Sequence, residues 1–165
     1  MIKGIAAVNN LGYIGKEGKM MWKSSEDFKH FKEKTMGGIL IVGRKTFEID
    51  LRGKGLPGRT TIVVGKNYNT PFQALEKANK IKESIISFIN ERNELIARNV
   101  DVSDIPEKII PEIWVIGGLQ IYNIFTPFVD EFHISNINDN QIGDVHFDIN
   151  NIKCKIFNYN FEINQ

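Results

Sequence analysis

Four short runs rich in Ile and Val punctuate the chain, at Ile2–Val8, Ile39–Gly43, Thr61–Gly65 and Ile113–Gly117, with polar, helix-spaced segments between them. Their apolar character is continuous rather than alternating, the pattern of strands covered on both faces. Parallel strands need crossover connections, and the intervening helices supply them. The pattern therefore predicts an α/β fold, a mainly parallel central sheet flanked by helices on both faces. Glu131–Ile137, EFHISNI, alternates instead and reads as a strand with one wetter face near an edge. Asn150–Gln165 is Asn-rich with interspersed apolar residues, and a final short strand pair is expected there.

The helices are bounded by recognisable signals. Ser24 or Ser25 caps the first, which runs to about Met36 and stops at Gly37-Gly38. A second begins just after Gly43. A third begins near Thr70-Pro71, where threonine can cap and proline suits the first turn. Ile81–Arg98 reads as a further helix whose Ile85, Phe88, Ile89 and Ile96 form an apolar stripe, covering the sheet or meeting a partner. No repeat and no Pro- or Ser-rich linker interrupts residues 1–165, so one domain is expected.

Composition narrows the function classes. At 165 residues the chain can bury a core without disulfides or metal. With 21 Lys+Arg against 20 Asp+Glu, its charge of +1 supplies no overall field toward nucleic acid or an anionic membrane. Neither is an expected partner. Cys154 is the one cysteine, and the three histidines lack triad or metal spacing, so no metal site is expected. No run approaches the ~20 apolar residues of a membrane span, and the first residues lack a basic leader, so a cytoplasmic, monomeric protein is expected.

The chemistry concentrates in Met20–Thr35, MMWKSSEDFKHFKEKT. Asp27 and Phe31 are one turn apart and share a helix face. A carboxylate on an aromatic stripe is costly to bury unless something donates hydrogen bonds to it. Two readings stay open: the carboxylate folds back on the helix start as part of a capping box, or it meets a ligand. Two strand-to-helix junctions invite a phosphate. At ILIVGRKTF (Ile39–Phe47), Arg44, Lys45 and Thr46 add cations and a hydroxyl to a helix start, although a solvated basic turn explains them equally well. At IWVIGGLQIYNIF (Ile113–Phe125), Gly117-Gly118 allows close backbone approach to a pyrophosphate, or is a plain tight turn. Neither junction is a P-loop or a GxGxxG fingerprint. Arg59 in LPGR suits bidentate pairing with a carboxylate, and Lys66 in VVGK joins the cations available to a phosphate.

Taken in order, these pieces resemble dihydrofolate reductases. The resemblance rests on IAAVNNLGYIG (Ile5–Gly15), Met20–Trp22, DFKHFKEKT (Asp27–Thr35), VGRKTFE (Val42–Glu48), LPGR (Leu56–Arg59), VIGG with Tyr122 following, and GDVHF (Gly143–Phe147). It implies an α/β domain whose mainly parallel sheet ends in an antiparallel C-terminal strand, and NADPH-dependent reduction of dihydrofolate to tetrahydrofolate. Hydride would pass to pterin C6 and a proton to N5. Asp27 and Trp22 are the implied catalytic residues. Asp27 would accept hydrogen bonds from the pterin, and Trp22 would sit with a mobile Asn9–Ser24 loop. Ile5, Ala6, Phe28, Phe31, Leu56, Ile116 and Tyr122 would contact substrate, Arg59 its glutamate α-carboxylate, and Ser135 would support Asp27. Ala7, Ile14 and Gly15 would flank the nicotinamide. Gly43, Arg44, Lys45, Thr46, Gly65, Lys66, Gly117, Gly118, Leu119 and Gln120 would hold the rest of the cofactor, Lys45 and Lys66 selecting NADPH over NADH.

Departures from the family pattern also carry expectations. Met21 replaces the usual proline before Trp22, which frees a φ angle in the loop. Two other readings remain: the related reductase domain of riboflavin biosynthesis, which LPGR and the Trp22-to-Asp27 spacing oppose, and a non-catalytic binding module, which the intact Asp27 and Arg59 oppose.

Overall fold

The computed structural model describes residues 1–164. Its frame is a six-stranded sheet of β1 (Ile2–Asn9), β3 (Ile39–Gly43), β4 (Thr60–Val64), β5 (Ile113–Val115), β6 (Glu131–Asn138) and β8 (Lys155–Glu162). The strands lie in the order β4-β3-β5-β1-β6-β8, every neighbouring pair parallel. A separate antiparallel pair joins β2 (Tyr13–Gly15) to β7 (Val145–His146). The expected parallel sheet is present. The expected antiparallel C-terminal strand is not, because β8 runs parallel to β6 from Glu131↔Lys155 to Asn138↔Glu162. Residues 139–154 make the return crossover that a parallel pairing requires. The expected final strand pair is this one long strand, which takes the edge position, and β6, expected near an edge, lies beside it.

Helix α1 (Ser25–Thr35) starts at Ser24, whose hydroxyl accepts the Asp27 amide at 3.3 Å. Helix α2 (Pro71–Ala97) starts in a capping box: the Thr70 hydroxyl accepts from the Gln73 amide at 3.2 Å while the Gln73 side chain accepts from the Thr70 amide at 2.9 Å. The two helices expected between residues 71 and 98 are this single helix, since no Gly or Pro follows Pro71 to stop it. After Gly43 the expected second helix shrinks to a short helical turn continued by a π-turn, Thr46–Asp50.

The sheet divides the core into two layers. On one face Ile39, Ile41, Val115, Phe132 and Ile134 pack against Ala74 and Ala78 of α2 and Ile121 and Phe125 of α3 (Leu119–Phe125). On the other, Ile5, Leu40 and Trp114 are buried with Phe31, Leu56 and Ile116 against them. This second, thinner layer leaves room for a ligand beneath α1. No described helix is long and apolar enough to cross a membrane.

Candidate active site

The register of the sheet creates the site. Strand β1 pairs with β5 only at Ile2↔Ile113, Lys3↔Trp114 and Gly4↔Val115, yet continues along β6 to Asn9↔Ile137. Past Gly4 the sheet therefore splits, which also ends β5 two residues earlier than its apolar run. Ligands of open α/β sheets bind where the carboxyl ends of strands diverge in this way. The carbonyls freed by the split meet Tyr122: its hydroxyl lies 2.7 Å from the Ile5 oxygen and 2.9 Å from the Ile116 oxygen, one proton serving both. Burial and the charge of Asp27 push that phenol's pKa above its ordinary value, so it remains a donor.

A cleft of about 460 Å³ opens at the split. All of Ile5, Ala6, Asp27, Phe28, Phe31, Leu56, Arg59, Ile116, Tyr122 and Ser135, the residues expected to contact substrate, line it. Ala7 and Thr46, expected on the cofactor side, line it too. Met20, Lys32, Asp50 and Leu51, not among the expected contacts, complete the wall. Lys32 sits one residue after Phe31 on α1 and a basic residue there is a readable signal; Asp50 and Leu51 are brought in by the π-turn, which has none.

Asp27 is 7% exposed. The Ser24 hydroxyl caps α1 by accepting the Asp27 amide, and the Asp27 carboxylate faces the cleft rather than the helix start. Burial raises the Asp27 carboxyl above the ordinary carboxylate range, while a hydrogen bond from Ser135 and the nearby His30 partly oppose the rise. Arg59 is held from behind: Nε donates to the Pro57 carbonyl and Nη1 to the Thr35 hydroxyl, both at 3.1 Å, with the guanidinium over the Phe31 ring at 5.9 Å. Among the described residues Arg59 and Lys32 enter no ion pair, so both charges are available to a carboxylate ligand. Trp22 is buried outside the lining, its Nε1–H without a partner in the protein.

The segment around Trp22 is tied to residues 139–147. The Glu17 amide donates to Asp144 Oδ2 at 2.9 Å and Gln141 Nε2 to the Met21 carbonyl at 3.1 Å. Gln141 is itself fixed by Asp139, which also accepts from Asn9 Nδ2 at 3.1 Å. The carbonyl of Met21, the residue expected to loosen this loop, is thus a point of attachment.

A second cavity, about 420 Å³, lies between Arg44, Glu48, Lys66, Asn67 and Tyr68. Arg44 Nη1 is 3.2 Å from Glu48 Oε2, and the Tyr68 hydroxyl donates to Glu48 Oε1 at 3.3 Å. Lys45 is exposed and lines neither cavity. Gly65 adjoins Arg44, and a Cβ on it would stand 2.8 Å from the Arg44 Cβ. Between the cavities, the Gly43 amide donates to the Gly117 carbonyl at 2.7 Å, and a Cβ on Gly43 would come within 2.8 Å of Ile121. Gly117-Gly118 is a cis peptide, Gly117 has φ +106°, and a Cβ on Gly118 would meet the Thr46 hydroxyl at 3.3 Å. This glycine backbone with Thr46, leading to two cations, has the groups that can hold a phosphorylated ligand. Leu119 and Gln120 open α3 beside it, Gln120 exposed; Ile14 and Gly15 lie on β2.

The family model described as dihydrofolate reductase matches residues 1–163. The chain belongs to the dihydrofolate reductase family. Members are NADPH-dependent oxidoreductases, and the relatives agree with that assignment across most of the chain. It is 33% identical over 149 residues to dihydrofolate reductase type 9 of Escherichia coli, covering 90% of this chain and 77% of that protein. To dihydrofolate reductase of Bacillus subtilis (strain 168) it is 32% identical over 147 residues, 89% of this chain and 75% of the relative. Among solved structures, dihydrofolate reductase from Enterococcus faecalis complexed with NADP(H) and RAB-propyl superposes with a TM-score of 0.65 at 28% identity, covering 90% of this chain and 77% of that one.

Proposed function

We propose that the chain reduces 7,8-dihydrofolate to 5,6,7,8-tetrahydrofolate with NADPH, in the cytoplasm, in support of one-carbon and thymidylate metabolism. The observation that carries this reading is the buried Asp27 carboxylate on the aromatic face of α1, in a cleft that also presents Arg59. A pterin offers a 2-amino group and a ring N–H side by side, and Asp27 accepts both as charge-assisted hydrogen bonds in a medium of low dielectric. Ser135 steadies the carboxylate. Ile5, Ala6, Ile116, Leu56, Phe28 and Phe31 enclose the rings, with Tyr122 holding Ile5 and Ile116 at the split. Arg59, already oriented by Pro57 and Thr35, takes the glutamate α-carboxylate as a bidentate pair, and Lys32 neutralises the second carboxylate.

NADPH, when bound, supplies the hydride that arrives at pterin C6. Ala7, Ile14 and Gly15 would flank its nicotinamide; Gly43, Thr46, Gly117, Gly118, Leu119 and Gln120 would hold its pyrophosphate. Arg44 and Lys66, with Gly65 and more peripherally Lys45, would hold its third phosphate. Trp22 and the tied Asn9–Ser24 loop keep bulk solvent out and admit a single water near Trp22 that passes a proton to N5, while the Asp27 carboxylate orients the ring. Loss of NADPH absorbance on adding dihydrofolate to the purified protein tests the reading, and no turnover above background would overturn it.

A further inference from the structure

The cleft holds a carboxylate that the proposed reaction does not use. Asp50 ends the π-turn and lines the cleft together with Lys32, Phe31 and Arg59. Its side chain is solvent-accessible yet partly desolvated by its surroundings, and that partial burial alone moves its carboxyl upward from the ordinary range. Among the described residues it forms no ion pair and no side-chain hydrogen bond, although two cations share its cleft. An acidic side chain left unpaired at a site that receives an anionic ligand has a definite electrostatic effect. Lys32 and Arg59 bring two positive charges, Asp50 subtracts one, and a dianionic glutamate tail then meets a net single charge.

We infer that Asp50 tunes substrate specificity in this cleft by weakening its attraction for an anionic tail, so that dihydrofolate is favoured over a tail-less dihydropterin less strongly than Lys32 and Arg59 alone would make it. The inference rests on the dihydropterin-reductase reading above. It acts through charge rather than shape: the carboxylate and its amide isostere have the same outline, and long-range repulsion is weakened by salt.

The test compares two substrates with the same reducible ring in the presence of NADPH, dihydrofolate and 6-methyl-7,8-dihydropterin, the latter carrying no tail. For Asp50→Asn at low ionic strength, the ratio of kcat/KM for dihydrofolate to that for the methyl compound rises about three- to tenfold, carried by a lower KM for dihydrofolate. The gain shrinks at high salt, and Asp50→Glu keeps the parent ratio. A ratio unchanged in Asp50→Asn, or a rise that salt leaves intact, would overturn the inference. Failure of the parent protein to reduce either substrate would instead overturn the reading on which it rests.

Discussion

The cleft around Asp27 and the cavity between Arg44 and Lys66 are close in volume, about 460 and 420 Å³, but they are built on different principles. The cleft is made of side chains: one helix face, strand ends and Leu56–Arg59, with a carboxylate that is paid for by burial of its neighbours. The cavity and its approach are made of backbone and flexible cations, Gly43 and Gly117-Gly118 behind, Arg44 already engaged by Glu48 in front. Substitution should therefore act steeply in the first region and gradually in the second, except where a glycine carries the backbone.

The largest expected effect is on the cleft side. Asp27→Asn keeps the shape and removes the charge, and kcat/KM for dihydrofolate at neutral pH falls about 10²- to 10⁴-fold, recovering in part at acid pH where substrate arrives protonated. An equal loss from a cofactor-side cation would erase the contrast. Next is the backbone exception: Gly117→Ala imposes a side chain at φ +106° with its Cβ 2.8 Å from the Tyr122 hydroxyl oxygen, and destabilises the fold by about 1–3 kcal/mol in denaturant unfolding. Among the cations, Lys66→Ala raises KM for NADPH about tenfold with little change for NADH, while Lys45→Ala, outside the cavity lining, changes NADPH about twofold. The reverse ranking would place the third phosphate on Lys45.

The smallest effect is on stability without ligand and has the opposite sign. Burial holds the Asp27 carboxyl above its ordinary range in the folded state, so the folded protein binds this proton more tightly than the unfolded chain. As pH rises through the ordinary carboxyl range and then the raised one, ionisation costs folding stability. Ligand-free Asp27→Asn therefore melts higher than the parent at neutral pH, and the difference closes as pH falls below about 4. A lower Tm for the variant at neutral pH would mean that the carboxylate is stabilised in place by its neighbours.

The same division explains what could be read from the sequence. Asp27 and Phe31 were legible because they stand one helical turn apart, and Arg59 because it sits in LPGR, whereas Ser135 was expected only through the family resemblance. Asp50 and Leu51 were not, since a π-turn leaves no periodicity to read. The start of α2 was marked by Thr70 and Pro71, but its continuation past Ile81 depended on the absence of any stop signal. The direction of β8 was the least accessible feature. KIFNYNFE alternates as a strand in either direction, and only the path of residues 139–154 makes it parallel to β6. Lys45 and Lys66 looked alike as cations after strands; their difference lies in how the turn after Gly43 directs Arg44, rather than Lys45, into the cavity.

If the Asp27 carboxylate holds the reacting ring, its titration governs the pH dependence of kcat/KM for dihydrofolate, to be measured for the parent and Asp27→Asn together. The parent profile should show a titration above the ordinary carboxylate range that vanishes in the variant, whose activity instead climbs continuously toward acid pH. The same titration persisting in Asp27→Asn, with activity near the parent's, would mean that another group holds the ring.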